Sequence, residues 1–199
     1  RPTRIGEGSI GRMVLDSLQK MNPSQLILFD VHSDLIRKAF RPFVTELSAL
    51  SLIADALSKH SLDVIVSPDA GFVSMARRLQ KLLKPRPDLA VIEKVRPKPN
   101  VAVARHLHGD VRDKDVLIAD DMIDTGGTLS EAVKLVSQNG AKKIRLAATH
   151  GMFSGEARRR LISLPIKEIW VTNTLPQIRS PRIHTVDVSP LILDALRRT

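Results

Sequence analysis

Seven short apolar runs punctuate the chain: QLILFDV (25–31), LDVIVSP (62–68), LAVIEK (89–94), DVLIADD (115–121), IRLAATH (144–150), EIWVTNT (168–174) and IHTVDVS (183–189). Helical patterns fill most of the gaps, over roughly 9–20, 45–59, 71–83, 128–138, 154–162 and 189–198. A strand that is apolar along its whole length, rather than at every second residue, has to be covered on both faces. Alternating strands and helices supply that cover, since each crossover helix packs on the sheet as it returns the chain to start the next parallel strand. The expected fold is therefore α/β, a parallel sheet flanked by helices on both faces. Gly140 falls where a helix starting near Thr128 should end, as glycine does at helix carboxyl ends.

Composition narrows the function classes. With 43% hydrophobic residues among 199, the chain can build a core of ordinary size. No apolar run approaches the roughly 18 residues that a membrane span needs, so no membrane partner is expected. Cysteine is absent, which removes disulfides and thiolate metal sites and fits a cytoplasmic protein. The net charge is +10, but aromatic residues are 3% and Tyr is absent, so base-stacking platforms are poorly supplied. The basic residues are scattered, with local groups at Lys94–Lys98, Arg158–Arg160 and Arg197–Arg198. No nucleic-acid partner is expected; anionic small molecules suit this charge better.

The stretch VLIADDMIDTGGTL (116–129) carries the chemistry. In open α/β sheets, ligands bind beyond the carboxyl ends of the strands. A strand over 115–119 would put Asp120 and Asp121 at that edge. Asp124, Thr125, Gly126, Gly127 and Thr128 would follow as a tight loop entering a helix. Glycines let backbone amides approach an anion, and the helix start adds free N–H groups and a positive dipole end. Two acids before such a loop would repel a phosphate, so they must face vicinal hydroxyls or a divalent cation. A sugar phosphate satisfies both halves. The plain alternative, Asp or Thr capping a helix after a glycine turn, accounts for one acid but not for three beside a glycine pair.

VLIADDMIDTGGT resembles the ribose-phosphate binding loop shared by type I phosphoribosyltransferases and ribose-phosphate diphosphokinases. Further segments resemble the diphosphokinases (5-phosphoribosyl 1-diphosphate synthetases) in the family's own order: FDVHSDLIRKAF (29–40), IVSPDAG (65–71), IEKVRPKPN (92–100), ATHGMFSGEA (148–157) and VTNTLP (171–176). The resemblance implies a type I phosphoribosyltransferase-like sheet. It also implies transfer of the diphosphoryl group of MgATP to the anomeric hydroxyl of ribose 5-phosphate, giving 5-phosphoribosyl 1-diphosphate and AMP.

By that resemblance Asp120 and Asp121 bind the ribose hydroxyls, and Asp124, Thr125, Gly126, Gly127 and Thr128 hold the 5-phosphate. Lys94 and Arg96 lie on a catalytic flap, where their i, i+2 spacing in an extended segment sends both side chains to one side. His32 and Asp69 match metal-ligand positions, with Mg2+ as the cofactor; His150 has no matching role and is read as structural. ATP and ribose 5-phosphate are the expected partners, together with further copies of the chain in a homo-oligomer. Residues 1–41 are expected to be the terminal part of a truncated amino-terminal domain. Residues 42–190 form the phosphoribosyltransferase-like catalytic domain, and 191–199 a carboxyl-terminal helix packing back on the first part. DAGFVSMARR (69–78) departs from the family's usual glycine-rich sequence. A non-catalytic regulatory homologue binding sugar phosphate or a partner enzyme, and a phosphoribosyltransferase, are the alternative readings.

Overall fold

A computed structural model of the chain describes residues 10–31, 44–95 and 104–198. These fall into two compact units, one formed by the described residues up to Ser48 together with 189–198, the other by the described residues between Ala49 and Val188. In the first, helix α1 (Ile10–Lys20) precedes strand β1 (Leu26–Phe29), which pairs in parallel with β2 (Val44–Leu47). Helix α6 (Ser189–Arg197) belongs to the same unit.

The larger unit is a seven-stranded sheet in the order β5-β4-β3-β6-β7-β8-β9. Its elements in chain order are α2 (Leu50–Leu57), β3 (Val64–Ser67), α3 (Val73–Leu82), β4 (Asp88–Val95), β5 (Ala104–His108) and β6 (Asp115–Ile123). Helix α4 (Gly127–Gln138), β7 (Lys143–Gly151), α5 (Ala157–Ile162), β8 (Glu168–Thr172) and β9 (Ile183–Val186) complete it. All pairings are parallel except β4 with β5. Helices α2 and α3 pack together on one face, and α4 and α5 on the other.

The expected α/β class is what the structure has, and the reason is burial. Val64, Ile65 and Val66 of β3 and Val116, Leu117, Ile118 and Ala119 of β6 are all buried. Consecutive residues of a strand point to opposite faces, so burial of every one requires helices on both sides. Helix α4 stops where expected, with Gly140 just beyond it at φ +84°, a conformation glycine adopts without steric cost.

Three elements differ from expectation. The helix expected over 45–59 begins only at Leu50, because Val44–Leu47 is drawn out as β2 by pairing with β1. β5 was not expected; it makes the sheet mixed by running antiparallel against β4. β6 continues past Ala119 to Ile123, because β7 offers it a partner as far as Gly151.

Ile118 is completely buried between the two helical layers. Ile118→Ala should lower unfolding stability by about 2–5 kcal/mol, the range for a large-to-small core change that leaves a cavity. Chemical denaturation followed by circular dichroism would measure it.

Candidate functional site

The order of the central strands creates the site. From β3 the chain moves outward to β4 and β5, then crosses back to β6 and moves outward the other way through β7, β8 and β9. The reversal lies between β3 and β6, the place where an open parallel sheet has a crevice beyond its carboxyl edge. β3 ends at Ser67, and its pairing with β6 ends at Ile118, whereas β7 follows β6 to Ile123. Asp120 through Ile123 therefore overhang β3 on one side while staying anchored on the other.

Asp120, Met122 and the run Ile123–Leu129 line a hollow of about 160 Å³. Asp120 and Met122 share a face of the strand. Asp121, one residue out of phase, does not line the hollow, but its backbone N–H donates to Asp120 Oδ1 at 3.0 Å. Asp124, Thr125, Gly126, Gly127 and Thr128 all line it.

The loop's carbonyls are turned outward and held. Ile123 O accepts from the amides of Met152 and Phe153, each at 2.9 Å, and Asp124 O from that of Ser154 at 3.1 Å. Thr125 O accepts from Arg160 Nη1 at 2.7 Å. Gly126 O accepts from Ser130, through the amide at 2.9 Å and Oγ at 2.7 Å. Gly126 takes φ +71°, and a Cβ placed there would lie 3.3 Å from the side chain of Leu161. Only glycine combines that torsion with so close a neighbour.

Helix α4 begins directly after Gly126, and no side chain caps it. This sets aside the reading of the stretch as a plain capping turn. The first amides of a helix have no intrahelical acceptor, and here they open, with the positive end of the helix dipole, onto the hollow. Such a bowl suits an oxyanion.

The carboxylates are placed at an electrostatic cost. Burial, then the charges of Asp121 and Asp69, push the Asp120 carboxyl up to about 7 from an ordinary 3.8, against the backbone hydrogen bond that favours its ionised form. Asp69, on the turn after β3, thus lies within electrostatic reach of Asp120 across the strand reversal. One oxygen of Asp69 is engaged in holding that turn, accepting from Gly71 N at 2.9 Å and Phe72 N at 3.3 Å. A cation, or hydroxyl donors, would relieve the crowding of charge. Among the described residues no three His, Cys, Asp or Glu side chains form a metal cluster. Mg2+ ordinarily takes only one or two carboxylates, with phosphate oxygens and water, so this donor set fits it.

Of the remaining expected residues, Lys94 lies on β4 opposite Arg105 of β5, and Arg105 pairs with Glu131 of α4. Arg96 and His32 lie outside the described residues. His150, on β7 opposite Met122, shares a hydrogen bond with Thr174 Oγ1 at 2.9 Å. Sequence reading missed the contributions of Ser154, Arg160 and Leu161; the run ARRRL (157–161) was visible only as a group of basic residues.

The sequence profile of the phosphoribosyl synthetase-associated domain matches residues 75–199. The chain belongs to that family. It is 39% identical over 192 residues to a ribose-phosphate pyrophosphokinase of Aquifex aeolicus, a match covering 94% of this chain and 61% of the relative. A ribose-phosphate pyrophosphokinase of Haemophilus influenzae is 38% identical over 194 residues, with the same coverage. The chain thus spans about three fifths of these curated relatives. The crystal structure of phosphoribosylpyrophosphate synthetase from Mycobacterium smegmatis superposes with a TM-score of 0.87 at 34% identity, covering 99% of this chain and 65% of that one. An APRTase from Giardia lamblia shares the fold at 16% identity, with a TM-score of 0.52 over 70% of this chain and 77% of that one. The sheet is thus of the type I phosphoribosyltransferase kind.

Because the folded-state carboxyl of Asp120 is raised, the folded protein keeps a proton that the unfolded chain releases between pH 3.8 and about 7. The group is harmless at low pH; stability falls as the pH rises from 3.8 to about 7 and the loss levels off above that. Asp120→Asn, always neutral, should melt at a higher temperature than the wild type at about pH 8. The gap should narrow steadily as the pH is lowered to about 5. Thermal denaturation across that range tests it, and a gap independent of pH would contradict the assignment.

Proposed function

We propose that the protein transfers the diphosphoryl group of MgATP to the anomeric hydroxyl of ribose 5-phosphate, producing 5-phosphoribosyl 1-diphosphate and AMP. The observation that carries this is the uncapped, outward-anchored loop 124–128 directly beside the crowded carboxylates of Asp120 and Asp121. An anion cradle and a cluster of acids within one short stretch match a ligand with a phosphate at one end and vicinal hydroxyls at the other. The similarity to ribose-phosphate pyrophosphokinases over most of the chain supports the same reaction.

In this reading the amides of Thr125 through Thr128 and the dipole of α4 bind the 5-phosphate, with Asp124 opening the turn. Asp120, when ionised, and Asp121 accept hydrogen bonds from the ribose 2′ and 3′ hydroxyls, which fixes the anomeric oxygen. Holding the nucleophile in place contributes by removing the entropy of encounter. Lys94, near the end of β4, and Arg96, which follows it, act as the catalytic cations, neutralising charge that builds on the transferring phosphates. His32 and Asp69 are the proposed Mg2+ ligands; bound there, the ion would supply charge neutralisation and alignment of the ATP phosphates. ATP and ribose 5-phosphate are thus the proposed substrates, and the cysteine-free composition suits activity in the cytoplasm. Among the described residues no helix is long and apolar enough to cross a membrane. The exposed Met13, Val14 and Met21 of the first unit support assembly into a homo-oligomer.

The test is AMP release from ATP, Mg2+ and ribose 5-phosphate. The protein should form AMP only with all three present. Lys94→Ala should lower turnover by about 10²–10³-fold, the scale for losing one preorganised charge-stabilising donor, with little change in sugar-phosphate affinity. Asp121→Asn should instead weaken that affinity. Ribose 5-phosphate binding without any AMP would favour the regulatory reading, and transfer from 5-phosphoribosyl 1-diphosphate to a nucleobase would favour a phosphoribosyltransferase.

A further inference from the structure

The loop can offer N–H groups to an anion only if its carbonyls stay turned away, and the means of holding them differ along it. Ile123 O and Asp124 O are held by backbone amides of the segment after β7. Gly126 O is held from within α4, by Ser130. The Thr125 carbonyl is the exception: its partner is the side chain of Arg160, 35 residues on, at 2.7 Å. Arg160 is exposed, whereas its neighbour Leu161 is buried and packs against Gly126.

A peptide unit is planar, so the direction of the Thr125 carbonyl sets the opposite direction of the Gly126 N–H. We infer that Arg160 is a positioning residue for the anion loop: its guanidinium holds the Thr125 carbonyl outward, so that the Gly126 N–H faces the 5-phosphate. This rests on the sugar-phosphate reading above. Gly126, at φ +71°, sits where glycine moves between backbone wells at little cost. Without Arg160 the Thr125–Gly126 peptide is free to turn over. A turned peptide presents a carbonyl oxygen to the phosphate, replacing attraction with repulsion at the centre of the bowl. The cation also polarises the peptide it holds and makes the Gly126 N–H a better donor.

Arg160→Met removes the donors but keeps most of the stem; Arg160→Lys keeps one cationic donor. Uniformly ¹⁵N-labelled wild type and both variants would be titrated with ribose 5-phosphate while the amide resonances of Thr125 to Thr128 are followed. In R160M the free-state resonances of Thr125 and Gly126 should move, and Kd for ribose 5-phosphate should rise roughly tenfold, the scale of one charge-assisted hydrogen bond. The melting temperature should stay close to the wild type, since the side chain is exposed. R160K should recover most of the affinity, which a merely structural role would not require. A wild type that binds ribose 5-phosphate, with R160M binding equally well and showing unmoved amides, overturns this inference alone. A wild type whose loop amides ignore ribose 5-phosphate overturns the proposed ligand and this inference with it.

Discussion

β6 is paired to unequal lengths on its two sides, and the site follows from that inequality. On the β3 side the pairing ends at Ile118, while on the β7 side it runs on to Ile123. The five apolar or paired residues at the start of the strand are buried on both faces, which fixes the register, since a slip of one residue would exchange the faces. The overhang then holds Asp120 and Met122 rigidly over the gap left by β3. A rigid strand end can keep carboxylates in a crowded place that a flexible loop would let them leave.

An acid held half-neutral near pH 7 by burial and by two other acids costs stability, and the core has to offset that cost. The opposite edge of the sheet shows charges arranged for stability instead. Arg145, almost fully buried, donates through Nε to Glu168 at 2.8 Å and lies 3.7 Å from Asp115, which also pairs with Lys143 at 3.2 Å. At that amino-terminal edge each charge has a counter-charge. At the carboxyl edge Asp120 meets mainly like charge. That asymmetry leaves like charge crowded at the carboxyl edge, which a cation or hydroxyl donors would relieve.

Elements buried on both faces were legible as continuous apolar runs, which is why β3, β6, β7 and β8 were visible. β2 and β5 were not. Val44–Leu47 is four half-buried or exposed residues running into a helix, and its apolar spacing suits either conformation. ARHLH is mostly Arg and His on an edge strand, so it lacks the apolar run that announces the others. The loop motif was legible because an anion bowl needs glycine at particular positions, and glycine is rare enough to notice. Arg160 was not, because a guanidinium reaching a carbonyl 35 residues away leaves no local pattern.

The sequence by itself determined the class of fold, the strand that ends in acids, and the glycine loop after it, because burial and backbone torsion are local demands on residue type. Tertiary structure alone decided which acids face the hollow. It also decided that Asp69 of β3's turn comes within electrostatic reach of Asp120, and that Arg160 of α5 holds the Thr125 carbonyl while the segment after β7 holds those of Ile123 and Asp124. Those depend on how far neighbouring strands pair and where the sheet reverses direction, and such long-range register is set by the packing of the whole domain.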